Sequence, residues 1–155
     1  MNHTYLFQEA NWDAKGTYYD AQGLAGPFEG VAQITHHDNI WKLESDMKLC
    51  HPNTTKFRNL YEIKPFTENA ILETSMESTH PALGKMVGKV VVVEDSLLIF
   101  AHSTDHANTV VEEIRHVDHA TYVNHGAFFM NNNLVGSWVL NLTTEPQKLK
   151  LLKFE

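Results

Sequence analysis

The sequence predicts an all-β fold, a single closed antiparallel up-and-down β-barrel of about ten strands. Three observations predict it. Apolar and polar side chains alternate with a period of two along most of the chain, turn-forming residues interrupt this alternation repeatedly, and no long amphipathic helix is present. A sheet with one apolar face and no covering helix must close on itself or face a second sheet.

The first elements are a short N-terminal turn and the early strands. We expect a short helical turn over His3–Ala10, placed at one end of the barrel. Ile40–Leu49 shows the strand pattern most clearly, because its odd-numbered residues are mainly apolar and its even-numbered residues after Ile40 are charged. This segment therefore predicts a strand with one dry face and one wet face.

The middle and later segments follow the same rule. Phe57–Lys64 and Ile71–Glu77 alternate, with Leu72 among the residues predicted to face inward. Gly88–Val93 is rich in β-branched residues and too short for a convincing helix, and Thr109–His116 is also expected to form a strand.

Nine clusters rich in Asn, Asp, Gly, Pro and Ser separate these segments, and such residues favour turns. They are Gly23–Pro27, His37–Asn39, His51–Thr55, Pro65–Asn69, Thr79–Gly84, Glu94–Ser96, Thr104–Asn108, Val117–His119 and Asn131–Asn133. Short links pair each strand most simply with its sequence neighbours. We expect residues 1–155 to form one barrel domain, since no repeat or linker is visible.

Composition narrows the class of partner. The chain has 19 acidic and 12 basic residues and a formal charge of −7. A basic face for nucleic acid or for a membrane surface is therefore not expected. The amino terminus lacks a signal-peptide pattern and the sequence has no long apolar run, so we expect a cytoplasmic protein. The oligomeric state is left open by the sequence.

Several local motifs resemble the calycin group of barrels, which includes lipocalins, fatty-acid-binding proteins, nitrobindin-like proteins and cyanobacterial bilin lyases. Trp12 is followed by Gly16 and Tyr18 at the start of the first strand. A glycine-bounded second strand follows at Gly26–Gly30, and a Trp-containing late strand lies at Gly136–Leu140. The resemblance implies the barrel fold and an internal ligand cavity, and it names no ligand.

The predicted inner faces combine an apolar lining with a few polar groups, as small-molecule sites do. The candidate ligand-binding residues are Trp41, Ser45, Met47, Asn59, Tyr61, Thr74, Met76, Tyr122, Asn124 and Trp138. Tyr61 and Tyr122 are the best candidates for a specific contact, because a buried phenol needs a partner. The alternative is that the polar groups bond to one another, to buried water, or to solvent at the barrel mouth.

Two adjacent carboxylates are candidates for acid–base chemistry. If Thr109–His116 is a strand, either Glu112 or Glu113 must face the interior. A glutamate inside an apolar barrel binds its proton more tightly and can act as a general acid or base. The alternative that we favour is an internal ion pair with Arg58 or Arg115.

The histidines allow two interpretations, and His102 takes part in both. Those at His36-His37, His102/His106 and His116/His119 lie in or beside turns, where solvated side chains are a better interpretation than a metal site. His102 and His125 lie within strands, and either could be an acid–base group or a haem ligand if it faced inward. We expect no metal and no cofactor, with haem as the alternative.

The leading hypothesis is a protein that binds one small hydrophobic molecule inside the barrel. The first alternative is a small enzyme on the same scaffold, an isomerase, cyclase or lyase that uses a histidine or glutamate of the cavity. The second alternative is a haem-binding barrel of the nitrobindin type.

Overall fold

The computed structural model describes residues 3–50, 53–81 and 83–145. Ten antiparallel strands form a closed barrel in which each strand pairs with its sequence neighbours and the first pairs with the last. The strands are β1 Ala10–Asp20, β2 Ala25–His37, β3 Ile40–Leu49, β4 Thr55–Ile63, β5 Glu73–His80, β6 Gly84–Val93, β7 Ser96–Ser103, β8 Asn108–Asp118, β9 Thr121–Met130 and β10 Asn133–Thr143. The predicted fold class and strand number are confirmed.

The two-residue alternation becomes the inside and the outside of the barrel. Ile34, Leu43 and Tyr61 lie opposite one another on β2, β3 and β4, and all three face inward. Leu43 is 4% exposed, and the charged residues beside it in β3 face solvent or the outer surface. Because β1 pairs with β10, no strand of the barrel is left with an unpaired edge.

The residues before β1 close one end of the barrel, and we call Thr4–Gln8 the N-terminal plug. The plug holds one hydrogen-bonded turn, in which the Gln8 amide donates to the Thr4 carbonyl over 3.0 Å. Leu6 is fully buried in it and has a φ of 69°. No helix forms in the described part of the chain: the turn expected over His3–Ala10 is shorter than predicted, because Ala10 already belongs to β1.

One hydroxyl holds the plug in place. The Tyr122 hydroxyl accepts hydrogen bonds from the backbone amides of Thr4 over 3.0 Å and of Tyr5 over 3.4 Å. The Nδ1 atom of His3 lies 3.1 Å from the same oxygen, and the Thr4 hydroxyl donates to the carbonyl of His119 over 2.6 Å. Tyr122 is itself fully buried, so the plug is fixed from inside the barrel.

Aromatic packing completes the closed end. Phe7 of the plug lies between Trp41 and Phe66, with ring centroids 5.6 Å and 4.9 Å away. The ring of His36 stacks on Trp41 at 4.2 Å, and its Nε2 atom lies 2.6 Å from the Leu6 carbonyl oxygen. Dense packing of this kind leaves little free space at the plug end.

Leu72 is a correction to the predicted inner face. It lies in the link between β4 and β5 and is 57% exposed. β5 begins only at Glu73, and the Leu72 carbonyl accepts a hydrogen bond from the Val92 amide over 2.7 Å. The alternation in sequence therefore extends further than the strand.

Among the described residues, no helix is long and apolar enough to cross a membrane.

Replacing Tyr122 by Phe removes the acceptor that the plug depends on. We expect Tyr122→Phe to lower the free energy of unfolding by about 1–3 kcal/mol, because two buried amides lose their partner. Urea unfolding followed by fluorescence measures the change. The matched control is Tyr19→Phe on the outer face of β1, where the residue is 39% exposed and a change within about 0.5 kcal/mol is expected. Equal effects of the two substitutions would contradict the role assigned to Tyr122.

Candidate ligand site inside the barrel

The half of the barrel away from the plug contains a cavity of about 310 Å³. Tyr5 of the plug forms part of its floor, and residues near the β3–β4 and β5–β6 links, such as Leu49 and Leu83, form part of its mouth. Most of the lining is apolar and includes Phe28, Met47 and Leu140. The space lies where a ten-stranded ring encloses more volume than its inward side chains fill.

Four polar side chains meet on the wall of this cavity, and we call Tyr61, Glu112, Asn124 and Trp138 the polar cluster. The Tyr61 hydroxyl donates to Oε2 of Glu112 over 3.4 Å. Trp138 Nε1 donates to Oδ1 of Asn124 over 3.0 Å, and Nδ2 of Asn124 donates to the carbonyl of Glu113 over 3.1 Å. The cluster therefore joins side chains from β4, β8, β9 and β10.

Gly126 makes room for the cluster. It lies opposite Glu112 on β8 and opposite Trp138 on β10. A Cβ atom at this position would overlap the indole ring of Trp138. The bare backbone of Gly126 thus lets the indole lie beside Glu112, where it contributes to the cavity wall.

Glu112 has no cationic partner in the described part of the chain. Arg58 instead bonds Asp46 on the outer surface, with Nε 2.8 Å from Oδ1, and Arg115 is exposed on the outer face of β8. The internal ion pair that the sequence suggested is therefore not formed. Glu112 faces the cavity, whereas Arg58 and Arg115 lie on the outer faces of β4 and β8, so neither arginine pairs with it.

Burial raises the pKa of Glu112 to about 7, and the polar groups of Asn124, Tyr61 and Trp138 act in the opposite direction by stabilising the carboxylate. The Glu112 side chain is partly accessible because it lines the cavity, and the cavity itself is bounded by protein atoms. Burial and the charge of Glu112 raise the pKa of Tyr61 and of Tyr5, so both phenols stay protonated at neutral pH. Glu112 is therefore the group of the polar cluster that titrates near neutrality.

Four rings follow one another around the cavity toward its mouth, and we call Tyr18, Phe28, Phe57 and His80 the aromatic rim. The ring centroids of Tyr18 and Phe28 are 5.8 Å apart, and those of Phe28 and Phe57 are 6.0 Å apart. His80 lies 5.2 Å from Phe57, and burial lowers its pKa, which favours the neutral imidazole. These four rings form part of the cavity wall.

The structure brings six of the ten candidate binding residues to the cavity. They are Ser45, Met47, Asn59, Tyr61, Asn124 and Trp138. The other four lie elsewhere. Trp41 and Tyr122 hold the plug, the Thr74 hydroxyl donates to the Lys64 carbonyl over 2.8 Å, and Met76 is buried outside the cavity lining.

Of the four candidate catalytic residues, Glu112 is the one that faces the cavity. Glu113 faces outward and accepts a hydrogen bond from the Ser96 hydroxyl over 3.2 Å. His102 stacks on His106 at 4.3 Å on the outer face, and His125 is exposed on β9. Neither histidine reaches the interior, so neither can ligate a haem held inside the barrel. The described residues contain no group of three or more metal-ligating side chains.

Sequence reasoning missed Tyr5 and most of the aromatic rim. Phe57 belongs to the predicted inner face of its strand, so its alternation was a usable signal for this position. Tyr18 was noted only as part of a motif. Tyr5 lies in the plug rather than in a strand, and no periodicity marks it as part of a cavity floor.

Comparisons with known proteins identify the fold and go no further. No family model matches the sequence, and no curated protein matches it. Among solved structures, the S-type phycobiliprotein lyase CPES from Guillardia theta is similar, with a TM-score of 0.64 over 90% of this chain and 89% of that chain. The two sequences are 7% identical. This likeness shows that the two chains share the barrel fold, and it leaves the ligand open.

The Glu112 carboxyl, which has no cationic partner among the described residues, predicts a pH-dependent effect on the free energy of unfolding. Its pKa of about 7 in the folded protein lies above the ordinary value of 4.5, so the folded state holds the proton more tightly than the unfolded chain. Glu112 therefore costs stability as pH rises from about 4.5 to 7. We expect Glu112→Gln to gain at most about 3 kcal/mol over wild type between pH 4.5 and pH 8, at about 1.4 kcal/mol per pKa unit.

Urea unfolding of wild type and Glu112→Gln at pH 4.5 and pH 8 measures this gain. Subtracting the free energies of unfolding of the two proteins cancels the contribution of the other titrating groups. Glu113→Gln on the outer face is the matched control, for which no such gain is expected. A stability difference between Glu112→Gln and wild type that stays constant with pH would contradict the buried position of the carboxyl.

Two asparagines on the cavity wall predict opposite effects. Asn59 has a buried Oδ1 atom without a hydrogen-bond partner, whereas Asn124 joins Trp138 to the backbone of β8. We expect Asn59→Leu to leave the free energy of unfolding unchanged or to raise it by about 1 kcal/mol. Asn124→Leu should lower it by about 1–3 kcal/mol, because the indole N–H loses its acceptor. Thermal and urea unfolding distinguish the two, and the reverse order would refute the assignment.

Proposed function

We propose that this protein binds one small, mostly apolar molecule inside the barrel, with Glu112 and Tyr61 as the polar anchor. The observation that carries the proposal is the cavity of about 310 Å³, with apolar walls and a polar cluster on one side. Ligand pockets commonly have volumes of about 300–1,000 Å³ and this same mixture of lining groups.

The contrast between the two halves of the barrel supports a container rather than a poorly packed core. At the plug end, Leu6, Trp12 and Tyr122 are fully buried. In the other half, the cavity is bounded by large side chains such as Phe28 and Trp138 and still keeps its volume. An apolar cavity offers water few partners, so an organic occupant uses this space better than water does.

A titration with a neutral apolar probe tests the proposal. The probe is 2-(1-naphthyl)ethanol, and calorimetry measures its affinity for wild type and for two variants. Val110→Trp places a large ring in the cavity, whereas Val111→Trp places it on the outer face of the same strand, where Val111 is 36% exposed. We expect Val110→Trp to weaken binding at least about tenfold, equivalent to about 1.4 kcal/mol.

Val111→Trp should leave the affinity of the probe unchanged. Circular dichroism and thermal unfolding establish that both variants keep the fold. Equal binding to the two variants would end the proposal, as would absence of binding to wild type both of this alcohol and of its charged naphthalene analogues. Native mass spectrometry of the purified protein gives an independent result, because a natural ligand that fills the cavity adds its mass to the chain.

A second candidate function is an enzyme on the same scaffold, an isomerase, cyclase or lyase. Its supporting observation is Glu112, whose pKa of about 7 suits a general acid or base at neutral pH. The similar solved structure is that of a lyase, which supports such chemistry on this fold. Incubation of the recovered ligand with the protein, followed by chromatography, distinguishes the two functions. A binding protein leaves the ligand unchanged, whereas an enzyme converts it to a product with a different retention time, and Glu112→Gln abolishes that conversion.

A further inference from the structure

The charge of the cavity lining has one sign. Glu112 is the only carboxyl among the described residues of the lining, and no lysine or arginine is found there. His80 stands on the aromatic rim, where burial lowers its pKa and favours the neutral form. When Glu112 is ionised, the interior is therefore negative, and an anionic ligand would meet repulsion with no cation to hold it.

The hydrogen-bond donors nearest Glu112 are already engaged. The Tyr61 hydroxyl donates to Oε2 of Glu112, and Asn124 and Trp138, which bond each other, also hydrogen-bond the Glu112 carboxyl. An ionised carboxylate has about four acceptor positions, so acceptor capacity remains at Glu112 beside these bonds, together with the buried Oδ1 of Asn59, which has no partner. A ligand that satisfies the carboxylate must bring its own donor, and a charged donor bonds a carboxylate most strongly.

The aromatic rim suits the same kind of ligand. Its four rings line the cavity and lie 5.2–6.0 Å from their neighbours. The faces of aromatic rings attract cations within about 6 Å of the ring centroid. The formal charge of −7 on the whole chain adds a long-range attraction for cations.

We propose that the ligand is a lipophilic amine, an apolar molecule with one protonated nitrogen that pairs with Glu112 while its apolar part fills the cavity. This inference rests on the proposed binding function and specifies the class of molecule that the site takes. The nitrogen lies at the polar cluster, and the aromatic rim encloses the apolar part.

The pairing makes amine affinity depend on pH. Tyr61 and Tyr5 face Glu112 from β4 and from the plug, and both are neutral phenols because burial raises their pKa. Asn124 and Trp138 face it from β9 and β10 and do not titrate. An aliphatic amine stays protonated at pH 8, as lysine does with its pKa of about 10.4. His80 lies on the aromatic rim rather than in the polar cluster, and burial lowers its pKa, which favours the neutral imidazole. Within the polar cluster Glu112 is therefore the group that changes charge, and amine affinity should rise about tenfold from pH 6 to pH 8.

Three naphthalene probes of similar size test the inference by calorimetry at pH 8. They are 2-(1-naphthyl)ethylamine, which is a cation, 2-(1-naphthyl)ethanol, which is neutral, and 1-naphthylacetate, which is an anion. We expect the amine to bind at least about tenfold more tightly than the alcohol, the effect of one charge-assisted hydrogen bond, and the acetate to bind most weakly. Glu112→Gln should remove the preference for the amine and its pH dependence.

Glu113→Gln is the matched control and should retain the full preference. If wild type binds the amine and the alcohol equally, or the acetate most tightly, the inference is overturned while the binding function stands. The inference is likewise overturned if Glu112→Gln keeps the preference for the amine. If none of the three probes binds, the binding function itself fails, and the inference fails with it.

Discussion

The structure depends on the way a closed ring of ten strands is filled. Such a ring encloses more space than its inward side chains occupy, and this chain fills only one end of it with its own N-terminal segment. The Tyr122 hydroxyl holds that segment by its backbone amides, at Thr4 and Tyr5. The plug thereby gives the barrel a floor, and what lies above the floor is a cavity with one open end rather than a channel.

Glu112 is a polar group that destabilises the fold and lines the cavity. A carboxyl without a cationic partner in an apolar space is unfavourable, and sites that break a local rule of folding are commonly functional. Hydrogen bonds from neighbouring side chains offset part of the cost of burying the Glu112 carboxylate. Tyr61 donates to the carboxyl, and Gly126 leaves the room in which Trp138 lies alongside. The neighbouring strands thus hold one carboxyl in place and leave it available to a guest.

Much of the fold was predictable from the chain, because alternation with a period of two reports directly which side chains face inward. β3 begins at Ile40 and ends at Leu49, as the alternation predicts. The same alternation predicts that either Glu112 or Glu113 faces inward. Leu72 marks the limit of the method. Its alternation continues the pattern of β5, but backbone bonding places it in a link, and a sequence pattern does not report where strand pairing stops.

The sequence by itself determined the all-β class, the number of strands and, in large part, which side chains point inward, because each of these depends on local alternation and turn chemistry. Only the tertiary structure decided how deep each inward residue lies. Trp41 and Tyr122 face inward, as Trp138 does, yet they pack against the plug while Trp138 lines the cavity. Depth along the barrel depends on strand register and on where the N-terminal segment docks, and both are set by contacts between residues far apart in the chain.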